Sequence, residues 1–344
     1  MRSQRFLFGA LSGWVWVMTS TPLWAQIGSE LQAVSLVQTS GVRLMSMGGV
    51  GVSIADPTNV RNLAVLPRAV SPWGKGRGEL LVGTGGVVAR AGGVDFTVKA
   101  LSFKAWSPQQ QVFVLRFERL HTGPFDFTPP DDPSTHFRRR DRLNTFLLGY
   151  ARPVGPATAI GVGLVAPVSK TELLLPSGTL AGIIQSSAKP GWELGAFHQF
   201  SPAWQVGAAF SWRTLEERIS VGGAEPTTNR YRGFLFRIGA SCQVSKRWLV
   251  ALEWGGLTLK DRQTGETKRD DRFYYGLEYA VRPDLRLRAG SFGGSLALGW
   301  GYEWGTWRLD YGYVKDVNKE ARARLTGEPE EGSQTHFLSL SHRL

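Results

Sequence analysis

From Glu79 onward, the chain divides into short segments in which apolar and polar residues alternate. Alternation with a period of two predicts β-strands, and segments near ten residues long suit strands that cross a membrane at a tilt. Fourteen segments can be drawn, most of them 9 to 15 residues long and each bounded by turn-forming residues. They are roughly 79–90, 93–106, 110–121, 141–153, 157–169, 190–200, 204–217, 229–244, 248–259, 270–281, 285–292, 295–304, 307–317 and 334–344.

The connections between these segments alternate between two kinds. Short turns lie at 107–110, 154–157, 201–203, 245–247, 282–284 and 305–306. Connections on the other side are mostly long and lie at 122–140, 170–189, 218–228, 260–269 and 318–333, with two short members at 91–92 and 293–294. Short turns at one end and longer loops at the other are typical of outer-membrane barrels. The sequence therefore predicts an all-β fold, a fourteen-stranded antiparallel transmembrane β-barrel.

The two faces of these segments differ in polarity, which predicts lipid around the barrel and a polar interior. In 295–304, one face carries Leu296, Leu298, Trp300, Tyr302 and Trp304, and the other carries small residues and Glu303. The segments 270–281 and 307–317 show the same division into an apolar, aromatic face and a small or charged face.

The first 25 residues have the pattern of a secretory signal peptide. Arg2 and Arg5 precede an apolar run from Phe6 to Met18, and the small residue Ala25 offers a cleavage site. An apolar run of about 13 residues is shorter than the roughly 20 that a membrane-spanning helix needs. An exported chain with barrel strands is expected in the bacterial outer membrane, with membrane lipids as its surroundings.

Composition excludes several other functions. The net charge of +12 is scattered along the chain rather than gathered in one run, which argues against a nucleic-acid partner. The single cysteine, Cys242, excludes an internal disulfide framework and any multi-cysteine metal site. No serine lies in a nucleophile elbow, and only His136 has nearby acids, Asp131 and Asp132, in a predicted loop. We therefore expect no catalytic residue, no bound metal and no cofactor.

The last segment, 334–344, pairs with the first in a closed barrel. Its alternation of Leu338, Leu340, His342 and Leu344 resembles the C-terminal signal of outer-membrane barrels, which usually ends in Phe. The resemblance implies recognition by the barrel-assembly machinery.

The stretch SGVRLMSMGGVGVSIADPTNVRNLAVLP (40–67) resembles the N-terminal segment of FadL-type and PorV-type outer-membrane barrels. The matching residues are Arg43, Met47, Gly48, Gly49, Ala55 and Asp56. The family's Asn-Pro-Ala-Gly motif is absent, and Asn62-Leu63-Ala64 stands in its approximate place. The resemblance implies that this segment folds into the lumen as a hatch. Together with the signal peptide, this divides the chain into three predicted parts: a signal peptide (1–25), a hatch (26–78) and a barrel (79–344).

Charged residues on the predicted inner face include both signs on neighbouring strands. They are Arg213, Arg237, Glu253, Glu278, Arg286, Arg288, Glu303, Arg308 and Asp310. They predict an internal salt-bridge network that holds a plug. The alternative is a polar conduit, or an anionic-headgroup site at Arg286, Arg288 and Arg308.

The resemblance implies passive transport of hydrophobic, fatty-acid-like molecules across the outer membrane. An apolar entrance is expected in loop 170–189, formed by Leu173, Leu174, Leu175, Leu180, Ile183 and Ile184. Two alternatives remain open. One is a PorV-type accessory barrel that docks a secretion or surface-attachment partner, and the other is a plugged structural barrel.

Overall fold

A computed structural model describes residues 42–47, 49–56, 59, 62–69, 78–89, 96–122, 124–127, 136–221, 225–292, 294–315 and 334–344. The predicted signal peptide, residues 1–25, lies outside the described residues. Two short helices precede the sheet, α1 at Val42–Ser46 and a 3-10 helix at Leu63–Arg68. None of the described helices is long and apolar enough to cross a bilayer.

Fifteen strands follow in the described part of the chain. They are β1 Gly78–Ala89, β2 Phe96–Trp106, β3 Val112–Thr122, β4 Phe125–Phe127, β5 Phe137–Pro153, β6 Thr158–Leu174, β7 Leu180–Gln199, β8 Trp204–Val221, β9 Thr227–Gln243, β10 Trp248–Asp261, β11 Thr267–Ala280, β12 Leu285–Phe292, β13 Ser295–Trp304, β14 Trp307–Lys315 and β15 Gln334–Arg343.

These strands form one closed antiparallel barrel. Neighbouring strands pair in chain order, and β15 pairs with β1 through a ladder that begins at Glu79 and Arg343. The three-residue β4 continues the line of β3, and both pair with β5. The wall therefore has fourteen long strands, as the alternation predicted.

One end of the barrel, here called the turn end, carries the short turns 107–111, 154–157, 200–203, 244–247, 281–284 and 305–306. The opposite end is called the loop end. Strand β7 is 20 residues long and β12 only 8, so the wall formed by β5 to β9 rises further toward the loop end.

The outer face of the barrel is apolar. Exposed large side chains include Phe273, Leu252 and Leu115, of which Phe273 is 73% exposed. Residues beside them on the same strands, such as Tyr274 and Glu253, are buried on the inner face. This division matches the predicted faces of β11, β13 and β14, and transmembrane barrels present such an apolar band to lipid.

The prediction of a loop at 170–189 was wrong. Strand β6 continues to Leu174, a tight turn covers 175–179, and β7 begins at Leu180. The turn is closed by a hydrogen bond from the Leu175 amide to the Thr179 carbonyl at 2.8 Å, and Gly178 adopts a φ of 84°. Alternation continues past the membrane-crossing length, with Thr171 and Leu173 facing inward and Glu172 facing outward.

The wall is irregular where β7 meets its neighbours. The β6–β7 ladder breaks between Val165 and Val168, and the β7–β8 ladder breaks between Lys189 and Trp192. Pro167 and Pro190 lie in these breaks, where a missing backbone N–H costs no ladder hydrogen bond. The inward-facing residues of β7 change from even to odd numbers across this bulge.

Candidate functional site in the barrel lumen

The described parts of the N-terminal segment lie against the inner face of the wall. Arg43, on α1, donates two hydrogen bonds to Glu278 of β11, at 2.8 and 2.6 Å. Arg43 also pairs with Asp56, and Asp56 accepts a hydrogen bond from Arg308 of β14 at 3.0 Å. All four side chains are at least nine-tenths buried. Two points of the segment are thus tied to two strands of the barrel.

Arg43 remains charged in this setting. Burial alone would lower the pKa of its guanidinium, but Glu278 and then Asp56 outweigh burial and raise the pKa above its ordinary value. Arg43 therefore keeps its positive charge as the pH rises, and remains available to pair with Glu278 and Asp56.

The network extends along β12 to β14. Glu278 also accepts hydrogen bonds from Arg288 at 2.8 Å and from Arg286 at 3.2 Å. Asp310 accepts from Arg288 at 2.6 Å and pairs with Arg308 at 2.7 Å. Glu303 lies at the margin, 3.9 Å from Arg308. The structure thus brings six of the nine sequence-derived lumen residues together around Glu278 and Asp310.

The remaining three residues form two separate pairs. Arg237 donates to Glu253 at 2.5 Å, and Arg213 donates to Glu193 of β7 at 3.0 Å. The other oxygen of Glu253 accepts the backbone N–H groups of Gly51 and Val52, at 2.7 and 3.0 Å. Glu253 therefore also holds the N-terminal segment, whereas Arg213 bonds a residue of the wall.

The predicted hatch residues have distinct positions. Met47 is buried in an apolar cluster with Tyr274, Val314 and Phe337 of the wall. Gly49 has a φ of 80° and donates to the Leu44 carbonyl at 2.7 Å, so it ends α1 in a conformation that favours glycine. Gly48, and the predicted hatch residues 26–41 and 70–77, lie outside the described residues. That the segment works as a hatch remains a prediction.

Glycines on the inner face give the segment room. A Cβ added at any of seven described wall glycines would lie less than 3.0 Å from the segment, and at Gly207 it would overlap the Val52 carbonyl oxygen. Five of these glycines follow the segment in sequence, with Gly299 and Gly276 beside Ser46 and Met47, Gly207 beside Val52, and Gly195 and Gly161 beside Asn62 and Ala64. Wall and segment are therefore complementary at the level of the backbone.

Two asparagines that sequence reasoning did not single out as site residues order the segment. Asn62 accepts the Ala64 amide at 3.1 Å as the N-cap of the 3-10 helix, and donates to the Val52 and Ala196 carbonyls at 2.7 and 2.9 Å. Asn59 donates to the Gly51 and Ile54 carbonyls, at 2.6 and 2.9 Å. The N-cap preference of Asn before Leu63-Ala64 is the signal that would have identified Asn62.

The predicted entrance residues do not form one surface. Leu173 and Ile184 point into the lumen and are buried, Leu174 and Ile183 are half-buried on the strands, and Leu180 is exposed at the loop end. Leu175 lies in the hairpin turn. Asp131 and Asp132 lie outside the described residues, and the described part of the chain contains no His, Cys, Asp and Glu grouping suited to a metal ion.

No family model and no curated protein matches the sequence. Solved structures do match the fold. The Ralstonia pickettii toluene transporter TbuX aligns with a TM-score of 0.59 at 14% identity, over 90% of this chain and 99% of its own. The Pseudomonas putida toluene transporter TodX aligns with a TM-score of 0.57 at 15% identity, over 90% and 99%. A Pseudomonas aeruginosa FadL homologue aligns with a TM-score of 0.55 at 13% identity, over 89% and 98%. Likeness across nearly the whole of both chains establishes that this chain has the FadL-type barrel fold.

Proposed function

We propose that the protein is a bacterial outer-membrane barrel through which hydrophobic small molecules pass without an energy source. The proposal is supported by the fold shared with two toluene transporters and by the exposed apolar band on the outer face. This function needs no catalytic group, and membrane lipids surround the barrel.

The observation that carries the proposal is an apolar belt inside the barrel, toward the loop end. Its inward-facing side chains are Leu120, Phe137, Leu143, Leu173, Ile184 and Ile219, each 1 to 5% exposed. Leu120 lies directly across the ladder from Leu143, and Ile184 from Ile219. A lumen for sugars or ions alone gains nothing from such a belt, whereas a hydrocarbon is stabilised by contact with it.

Apolar contacts continue toward the turn end along β3, β5 and β6. There Leu63 and Leu66 of the 3-10 helix pack on Val112, Leu147 and Val165. Two ion pairs, Arg116–Glu118 and Arg139–Asp141, and the buried Glu217 of β8 interrupt this side of the lumen. The large charged network lies on β11 to β14, and three further ion pairs, Lys104–Glu79, Arg213–Glu193 and Arg237–Glu253, lie on β1, β2 and β7 to β10. In this proposal the solute therefore follows the apolar side chains of β3, β5 and β6, between charged groups.

In this proposal the N-terminal segment is the gate. Leu63 and Leu66 cover the apolar wall at the turn end, and the Trp106 indole donates to the Leu66 carbonyl at 3.2 Å. A hydrophobic molecule would leave the barrel only when this helix moves from its position or the solute slides between it and the wall.

The experiment is uptake by liposomes that contain the purified protein, measured with a fluorescent fatty-acid analogue and with a polar sugar. We expect entry of the hydrophobic probe. Leu173→Asn places an amide in the belt, which costs about 1–3 kcal/mol when its hydrogen bonds are unmet, so entry should slow about tenfold.

Leu175→Asn is the matched control, because Leu175 lies two residues away in the turn and outside the belt. It should leave uptake unchanged. Equal uptake by the Leu173→Asn variant would show that the belt is not the path. An intact protein that admits neither probe would contradict transport and favour the docking or structural alternatives.

A further inference from the structure

We propose that a cavity at the turn end of the lumen binds a small organic carboxylate. The cavity has a volume of about 250 Å³ and lies between the Ile54–Asp56 stretch and turn-end residues of β1, β8 to β10 and β12 to β15. The proposed passage of neutral hydrocarbons reaches the turn end along β3, β5 and β6, which do not line this cavity, so the two sites are separate.

The charged groups in and beside the cavity carry an excess of positive charge. Among the described residues, six cations face five anions. The cations are Arg43, Lys104, Arg286, Arg288, Arg308 and Arg343, and the anions are Asp56, Glu79, Glu278, Glu303 and Asp310. One uncompensated positive charge in a partly buried network attracts a monoanion.

Arg286 is the arginine best placed to bind such an anion. Its side chain is 30% exposed, it lines the cavity, and its contact with Glu278 is 3.2 Å long. Glu278 already accepts three shorter hydrogen bonds, from Arg43 and Arg288. A guanidinium has five N–H donors in a fork that matches a carboxylate, so Arg286 retains donors for a ligand.

The other two arginines of the sequence-derived anion site are committed elsewhere. Arg288 bonds Glu278 and Asp310 and is 1% exposed, and Arg308 is held between Asp56 and Asp310. Of the three arginines that the sequence suggested as an anion site, Arg286 therefore remains the candidate, and it lies at the cavity wall.

The rest of the lining is mixed and accommodates an organic anion. Ile54, Leu249 and Trp307 contribute apolar surface beside the arginines, and the uncharged polar lining residues are Gln205, Ser241, Gln243, Thr306 and Ser341. A cavity of about 150 Å³ holds benzene, so 250 Å³ accommodates a benzoate-sized molecule and excludes a two-chain lipid.

The test is isothermal titration of benzoate into the purified protein in a non-ionic detergent, with benzamide as the uncharged probe of the same shape. We expect benzoate to bind, benzamide to bind at least tenfold more weakly, and added salt to weaken benzoate binding. Binding is measured without any flux, so a negative result here leaves the transport proposal intact, and a sealed barrel leaves this proposal intact.

Arg286→Gln should weaken benzoate binding at least tenfold. Arg286→Lys keeps the charge but loses the fork, and should weaken it about threefold. Arg282→Gln is the matched control, because Arg282 is an exposed turn residue at the same end and pairs with Asp284 outside the cavity. No heat with benzoate, equal binding of benzamide, or benzoate binding unchanged in both Arg286 variants would each overturn the proposal.

Discussion

Arg43→Gln is expected to raise the ion conductance of the barrel in planar bilayers at least tenfold. The change removes the cation that joins Glu278 to Asp56. Glu278 keeps Arg286 and Arg288, and Asp56 keeps Arg308, so the cost is that of the hydrogen bonds that tie the segment to Glu278, about 1.5–3 kcal/mol for bonds to a charged group. That cost shifts the balance between docked and released segment about 10- to 100-fold. Release of the segment would open the turn end to ions.

Arg269→Gln provides the comparison for this experiment. Arg269 also pairs with a carboxylate, Asp271, but its side chain is 58% exposed, and exposed pairs contribute little. Conductance should remain at the level of the unmodified protein. If Arg43→Gln conducts no better than Arg269→Gln, the ion pairs of Arg43 do not hold the segment in the lumen.

Gly207→Val is expected to displace the segment by collision rather than by loss of charge. An added side chain would occupy the place of the Val52 carbonyl oxygen and also contact the Ser53 amide. The wall is fixed by its ladders, so the segment is the part that moves. Gly51 and Val52 would lose their hydrogen bonds to Glu253. Overpacking costs about 1–3 kcal/mol, so hydrogen exchange at these two amides should accelerate about tenfold or more.

Mass-spectrometric hydrogen exchange on a peptide covering residues 49–56 measures this effect. Gly155→Val is the control, since an added Cβ at Gly155 meets no atom within 4 Å. Its exchange in the same peptide should match the unmodified protein. Unchanged exchange in Gly207→Val would mean that the segment does not rest on β8 in solution.

The strands were largely predictable from sequence because two signals agree. Strands β12 and β13 begin and end at the predicted residues, since turn residues border them and their faces alternate without interruption. Strands β6 and β7 were underestimated because the expectation stopped at a membrane-crossing length. Their alternation continues through Thr171 and Leu173, which have no lipid to face but do have a lumen to line.

The site was predictable only where it depends on local pattern. A period of two places Glu278, Arg288 and Asp310 on the inner face, and short turns bring them side by side. Glu278, one of the two partners of Arg43, is 235 residues away in sequence, and no periodicity relates the two positions. The alignment of wall glycines with the segment could not be predicted from the sequence either, because it depends on the path of a backbone without regular structure.

The ladder between β1 and β15 has a consequence for how the chain assembles. Most other neighbouring strands are joined by short connections and can pair locally, but this ladder joins the first strand to the last. Contacts between distant parts of a chain form slowly, because the entropy of the intervening loop is lost before the contact contributes any stabilising free energy. Until closure, β1 and β15 would offer unpaired backbone to other chains and invite aggregation. We therefore expect closure of this ladder to limit the folding rate, and we expect the chain to need a chaperone until the ladder closes.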